Sequence, residues 1–202
     1  MIKFNVASIN KCTEVEGPFK RLCIWFQGCN IHCIGCCNPD YQALIPKMLF
    51  SIDELVNIIK EAQKEFGIEG VTFSGGEPSL QQNLPVLTSK IKELGLGVIS
   101  FTGHNYEDVK DCFVGCDVVL DGAYKQAEKE TQRRLLGSKN QRIICLTERY
   151  KDCIDAWFNS SETKTMEVSL ADKIVINGDA VWFAGEIITN EVFSVWYWVL
   201  RR

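Results

Sequence analysis

The chain has 202 residues, enough for one domain with a sizeable core, or for one domain and an appendage. Its 22 basic and 26 acidic side chains leave a formal charge of −4, which argues against a protein that grips nucleic acid through a basic face. Ten cysteines fall short of a secreted disulfide scaffold, and the longest late apolar run, at 195–200, is too short for a bilayer, which takes roughly 20 apolar residues.

Residues 3–9 alternate apolar and polar, as a half-buried strand does, and no leader-like apolar segment is expected at the start. Residues 22–26 are a continuous apolar run of strand length. They open onto a loop, 28–38, that ends at the turn signal Asn38-Pro39. Ser51 and Glu54 predict a capping box, and Ile52, Leu55, Val56, Ile59, Ala62 and Phe66 share one face of the helix that follows, closed by Gly67. A short buried strand at 70–73 runs into Ser74-Gly75-Gly76-Glu77-Pro78. A second helix is predicted from Asn83, with Pro85 in its first turn, Leu84, Leu87, Ile91 and Leu94 inward, and Gly95 at its end.

Strands are predicted at 96–101 and 117–120, a charged helix at 124–136 and a further strand at 141–146. Strands alternating with helices imply an α/β fold with a mostly parallel sheet of βαβ units. Composition shifts after Thr147, and a hairpin is expected at 174–183 with Asn177-Gly178 as its turn. The chain thus divides into a core, 1–146, and a C-terminal β-containing appendage, 147–202. The aromatic stretch at 192–198 is expected to pack against the core.

The chemistry sits on Cys29, Cys33 and Cys36, a CxxxCxxC triplet with no fourth cysteine at comparable spacing. Three thiolates on one short loop suit a [4Fe-4S] cluster with one iron left for an outside ligand. Gly28 and Gly35 let the backbone wrap tightly there. Zinc is the alternative, but it wants a fourth protein ligand, and His32 and Cys37 are sequence neighbours of a ligand, badly placed to close a tetrahedron. Clustered cysteines of this kind fit metal binding in a reducing cytoplasm. Cys12, Cys23, Cys112, Cys116, Cys145 and Cys153 are expected to be packing thiols rather than a second metal site. In the Gly-Gly-Glu-Pro turn, glycines at a strand end let the backbone approach a ligand, and Glu77 offers a carboxylate to an ammonium group.

A CxxxCxxC loop after one strand and Gly-Gly-Glu-Pro after the next resemble the radical S-adenosylmethionine (SAM) superfamily. Four further stretches are similar to the short activating enzymes of glycyl-radical enzymes, above all those that serve anaerobic ribonucleotide reductase. These are Gly17-Pro18 with Arg21 leading to Gly28-Cys29, then Cys36-Cys37-Asn38-Pro39, Thr102-Gly103-His104, and Asp121-Gly122 followed by Gly137-Ser138-Lys139-Asn140-Gln141-Arg142. The resemblance spans roughly residues 4–146. Phe19, Cys37, His104 and Leu136 depart from it, the last standing where an Arg is usual.

The resemblance implies an incomplete (βα) barrel-like sheet with the cluster in its first loop. It implies one [4Fe-4S] cluster on Cys29, Cys33 and Cys36, and SAM held at its methionyl end by Gly75, Gly76 and Glu77, with Ser74 assisting. Asp121, Asn140 and Arg142 are second-rank cofactor contacts, although Asp121 also reads as a turn former and Arg142 as a surface cation. The implied activity is reductive cleavage of SAM to a 5′-deoxyadenosyl radical and generation of a glycyl radical on a large partner, anaerobic ribonucleotide reductase in first place. A reductant such as flavodoxin or ferredoxin would be needed; no nucleic acid or membrane is expected. A radical SAM enzyme acting on a peptide or small metabolite, and an iron–sulfur electron carrier without SAM, stand as alternatives.

Overall fold

The computed structural model describes residues 3–159, 164–167 and 173–176. Four apolar segments lie side by side in parallel: β2 (Arg21–Phe26), β4 (Gly70–Gly75), β5 (Gly97–Phe101) and β6 (Val118–Asp121). Strands covered on both faces need near-continuous apolar runs, and every residue of β2 is buried. Beyond β2 lie β1 (Lys3–Thr13) and then β3 (Met48–Ser51); beyond β6 lies β7 (Arg142–Cys145). All three pair antiparallel, giving the order β3-β1-β2-β4-β5-β6-β7. The α/β class and a parallel centre are as expected, with antiparallel strands at both flanks. Among the described residues the sheet is open, with edges at β3 and β7.

The period of two in each strand sends alternate residues to two cores. Val98 and Val119 face α1 (Ile52–Phe66) and α2 (Leu84–Glu93), joining Leu55, Ile59, Leu84, Leu87 and Ile91. Ile99, Val118 and Leu120 face the other way, onto Tyr150, Ile154 and Phe158 at α4 (Lys151–Asn159). The α1 capping box is present: the Glu54 N–H donates to Ser51 Oγ at 3.3 Å and the Ser51 N–H to Glu54 Oε2 at 2.6 Å. Gly67 ends that helix at φ 64°.

Several expectations are corrected. Residues 124–136 are not a helix. Beyond a 3₁₀ turn at Gln126–Glu128, Lys129 bridges Ser138 and the Glu130 N–H donates to Gly137 O at 3.0 Å. Its charged residues are helix formers by propensity, but the Glu130 carboxylate takes the N–H groups of Thr131 and Gln132, and Leu135 turns at φ 61°. These local side-chain-to-backbone bonds, with the backbone bonds across the loop, override the helix preference. The short α3 (Tyr106–Val109), α4 and β3 add to the expected elements; α3 and β3 are too short to show a period, whereas α4 buries Ile154 and Phe158 at helical spacing. Residues 174–176 do form a strand, but as part of β9 (Lys173–Ile176), which pairs backwards with β8 (Lys164–Glu167). The Asn177-Gly178 turn, the rest of the 174–183 hairpin and the aromatic stretch at 192–198 lie outside the described residues.

Arg21 closes the N-terminal end of the parallel strands. It is fully buried and donates to Thr72 Oγ1 at 2.7 Å, Tyr150 Oη at 2.8 Å and Val71 O at 2.8 Å, with Glu69 Oε2 at 3.3 Å. Tyr150 in turn donates to Glu69 Oε2 at 2.5 Å. Burial pushes the Tyr150 phenol up to about 12, against the lowering pull of Arg21. The Gly-Pro-x-x-Arg stretch is thus a structural clamp: a Cβ on Gly17 would lie 2.9 Å from Arg21 Cδ. Of the four departures, Phe19 sits at φ 63° and is exposed, and Leu136 is fully buried with Tyr150, Ile154 and Phe158. An apolar residue there completes a core that a charged one would interrupt.

Candidate cluster and cofactor site

The C-terminal ends of β2, β4, β5 and β6 surround one cleft, the position at which open α/β sheets bind ligands. Its cavity volume is about 130 Å³, and it opens on one side to solvent. Its first wall is the loop after β2. The Gly28 N–H donates to Tyr41 O at 2.8 Å and the Cys29 N–H to Gln42 O at 2.9 Å, so the loop is pinned to its own return. His32 at φ 54° and Gly35 at φ 76° make its turns, and His32 is exposed.

Cys29, Cys33 and Cys36 all line the cleft. Two of their sulfurs accept backbone N–H groups, Cys29 from Ile31 at 3.5 Å and Cys36 from Asn38 at 3.3 Å. Hydrogen bonds of this kind tune iron–sulfur centres. The Cys36 thiol is lowered to about 6, first by the Cys37 side chain, then by Gln42 and the Asn38 N–H, against burial. Burial raises Cys33, partly offset by the backbone N–H of Tyr124. Among the described residues no three Cys, His, Asp or Glu side chains converge on one point as a single ion requires. Three thiols on one loop, with N–H groups aimed at their sulfurs and open space in front, fit a cluster with a free corner.

The Gly-Gly-Glu-Pro turn forms the second wall and is laced to the first. The Gly76 N–H donates to Phe26 O and the Glu77 N–H to Gly28 O, each at 2.8 Å, and Asn38 Nδ2 donates to Gly75 O at 3.0 Å. This zipper explains both glycines. A Cβ on Gly75 would lie 2.4 Å from Phe26 N, and one on Gly76 only 2.1 Å from Gly28 O. Close approach of backbone to backbone requires them.

Glu77 behaves differently from its sequence reading. Its carboxylate is buried and accepts three bonds from the protein: Ser79 N–H at 2.9 Å, Thr102 Oγ1 at 2.8 Å and Gly103 N–H at 2.8 Å. It braces the turn against the end of β5 rather than holding a carboxylate out to an ammonium group. Ser74 is buried beneath the turn and lines the cleft with Gly75 and Gly76. Gly103 closes against the cysteine loop, where a Cβ would meet Ile31 Cδ1 at 2.4 Å. His104 Nε2 lies 3.3 Å from Asn30 Oδ1 on the same loop.

Asp121, Asn140 and Arg142 are not brought into this cleft. They line a neighbouring polar depression that shares Gly103 and Gly122 with it. Asp121 accepts from the Tyr106 N–H at 2.8 Å and from Arg142 Nε at 2.9 Å, with Arg142 Nη2 on its other oxygen. The Asp121 and Glu107 carboxylates push the Arg142 guanidinium upward. Asn140 Nδ2 donates to Ala123 O at 2.9 Å. The cleft instead takes Tyr124, Leu135 and Gln141 from the loop between β6 and β7. Gln141 belonged to a motif visible in the sequence; Tyr124 and Leu135 carried no signal beyond lying near Asp121-Gly122 and Gly137-Ser138.

A parallel-centred sheet with a thiol-lined cleft at its strand ends defines a protein of the iron–sulfur class. Residues 15–144 match the family described as the 4Fe-4S single cluster domain. The chain is 28% identical over 150 residues to the anaerobic ribonucleoside-triphosphate reductase-activating protein of Enterobacteria phage T4, covering 69% of this chain and 92% of that one. It is 38% identical over 153 residues to the pyruvate formate-lyase-activating enzyme of Staphylococcus epidermidis, covering 73% of this chain but 59% of that enzyme's length. For the Staphylococcus aureus enzyme (strain USA300) the identity is 37% and the shares are 75% and 65%. The chain thus spans less than two thirds of those two relatives. QueE from Escherichia coli is similar at a TM-score of 0.44 and 19% identity, covering 51% of this chain and 54% of that one.

The chain belongs to the 4Fe-4S single cluster domain family, among the radical SAM activating enzymes. Its cofactors are a [4Fe-4S] cluster and SAM.

Proposed function

We propose that this chain generates a glycyl radical on a partner enzyme, and that the partner is anaerobic ribonucleoside-triphosphate reductase. The observation that supports the proposal is the lacing of the three-thiol loop to the Gly-Gly-Glu turn through Asn38–Gly75 and Glu77–Gly28, which brings three cysteines and a glycine turn into one cleft. Cys29, Cys33 and Cys36 would hold the cluster. Gly75 and Gly76, with Ser74 beneath them, would receive the methionyl end of SAM along their backbone, and Glu77 would keep that backbone in place. When bound, the cluster and SAM supply one-electron cleavage to a 5′-deoxyadenosyl radical, chemistry that belongs to the cofactors.

The chain's residues bind, orient and shield. Phe101 and Leu135 give the cleft apolar walls. Asp121 and Arg142 neutralise one another at its rim and serve the wall rather than the cofactor. The ribonucleotide-reductase partner is favoured because the chain spans 92% of the phage activating protein. Pyruvate formate-lyase is the second candidate, on the higher identity. We also read the sheet as an incomplete barrel, the location as cytoplasmic and the electron donor as a flavodoxin or ferredoxin; no helix of the described residues is long and apolar enough to cross a membrane.

The test is anaerobic reconstitution with iron and sulfide, then SAM, a reductant and either partner. Formation of 5′-deoxyadenosine and a glycyl-radical EPR doublet on the reductase is expected. Deoxyadenosine without a doublet on either partner would remove the activating role. Cys29→Ser, Cys33→Ser and Cys36→Ser should each lose the cluster, whereas Cys37→Ser should keep its iron.

A further inference from the structure

The Gly137-Ser138-Lys139-Asn140-Gln141 segment reaches the cofactor cleft only with Gly137 and Gln141. Its side chains hold a single stretch of backbone. Gln141 Nε2 donates to Gly122 O at 2.9 Å, Asn140 Nδ2 to Ala123 O at 2.9 Å, and Ser138 Oγ accepts the Lys125 N–H at 3.0 Å. Gln141 Oε1 also accepts the N–H groups of Gly137 at 2.6 Å and Ser138 at 3.1 Å. Both carbonyls before Tyr124 and the N–H after it are therefore fixed, and Tyr124 stands at the centre of the clamp.

Tyr124 faces the cysteine loop. It lines the same cleft as Cys33 and Cys36. Its ring lies between two glycines on separate loops: a Cβ on Gly35 would sit 3.3 Å from Cε1, and one on Gly137 2.8 Å from Cδ2 at the opposite corner. Gly35 stands between Cys33 and Cys36, so the ring backs the stretch of loop that carries both thiols.

We propose that Tyr124 is a positioning residue for the Gly35 turn of the cluster loop, between Cys33 and Cys36, and that Asn140 and Gln141 act through it by fixing its backbone. The inference rests on the assignment of Cys33 and Cys36 as cluster ligands. Partners that orient a metal's ligands typically change affinity or activity by about 10- to 100-fold when removed. Hydrogen bonds to cluster sulfurs and exposure to solvent also set the reduction potential.

The experiment compares anaerobically reconstituted wild type, Tyr124→Phe, Tyr124→Ala and Gln141→Ala by iron release to a chelator, cluster midpoint potential and SAM affinity. Tyr124→Phe keeps ring and N–H and should match wild type in all three. Tyr124→Ala should release iron about 10-fold faster and shift the midpoint, and Gln141→Ala should change both in the same sense, less strongly. Should Tyr124→Ala fail to fold, Tyr124→Leu fills the gap without a ring and is held to the same outcome. Unchanged iron release and potential in the folded ring-deleted variant overturn the proposal, as does weakened SAM binding at wild-type potential. A wild-type chain that takes up no cluster defeats the ligand assignment instead, so the two failures are told apart.

Discussion

The Glu77 carboxylate and the Thr102 hydroxyl meet at 2.8 Å, and the next residue, Gly103, gives its N–H to the other carboxylate oxygen at 2.8 Å. This pair ties the turn after β4 to the end of β5, and Gly103 in turn rests on Ile31 of the cysteine loop. Three strand ends become one rigid rim.

Glu77→Gln replaces an acceptor oxygen with a donor that must face at least one N–H or O–H. A buried donor left unmatched costs about 1–3 kcal/mol. Denaturant titration should show that loss, together with weaker SAM binding by calorimetry. Thr102→Val removes one bond to Glu77 without touching the glycine turn, and it should weaken SAM binding in the same direction. If Thr102→Val leaves SAM affinity untouched while Glu77→Gln abolishes it, Glu77 is a direct ligand and not a brace.

Gly76→Ala should release the cluster. Its Cβ would lie 2.1 Å from Gly28 O, a backbone atom one residue before Cys29, so the loop must move. Gly95→Ala is the control: nothing lies within 4 Å of its Cβ, leaving only the left-handed φ of 79°, which costs roughly 1–2 kcal/mol. Iron content after reconstitution should fall in the first variant and hold in the second.

Arg21→Met should destabilise the fold by about 3 kcal/mol, the low end for breaking a buried ion pair because Glu69 is partly exposed. The measurement is the urea midpoint at constant slope. The EPR signal of the reduced cluster should stay as it is in protein that remains folded, since Arg21 sits at the end of the strands away from the cleft.

Glu130 carries an acid-side dependence. Burial raises its carboxyl, but the N–H of Gln132, the Arg133 guanidinium and the N–H of Thr131 together hold it at about 2, below an ordinary 4.5. A depressed carboxyl adds stability that is fully present above the unfolded value and is lost as pH falls through the folded one. The advantage of wild type over Glu130→Gln should therefore be complete above pH 4.5 and fade towards pH 2. An advantage that does not vary with pH across that window removes the carboxylate from the account.

Local features of the sequence determined much of this protein: the α1 cap at Ser51 and Glu54, the apolar strands of the sheet centre, and the thiols of Cys29, Cys33 and Cys36 on one loop. Periodicity, capping and short spacings are properties of neighbouring residues, so they can be read before the chain is folded. Contacts between distant segments decided the rest. Glu77 turned inward because Thr102 and Gly103 offered three-dimensional partners that no spacing reveals. Residues 124–136 abandoned a helix for bonds across the loop, and Asp121 and Arg142 neutralised each other beside the cleft instead of inside it. A side chain's role follows from which donors and charges reach it, and only tertiary packing sets that.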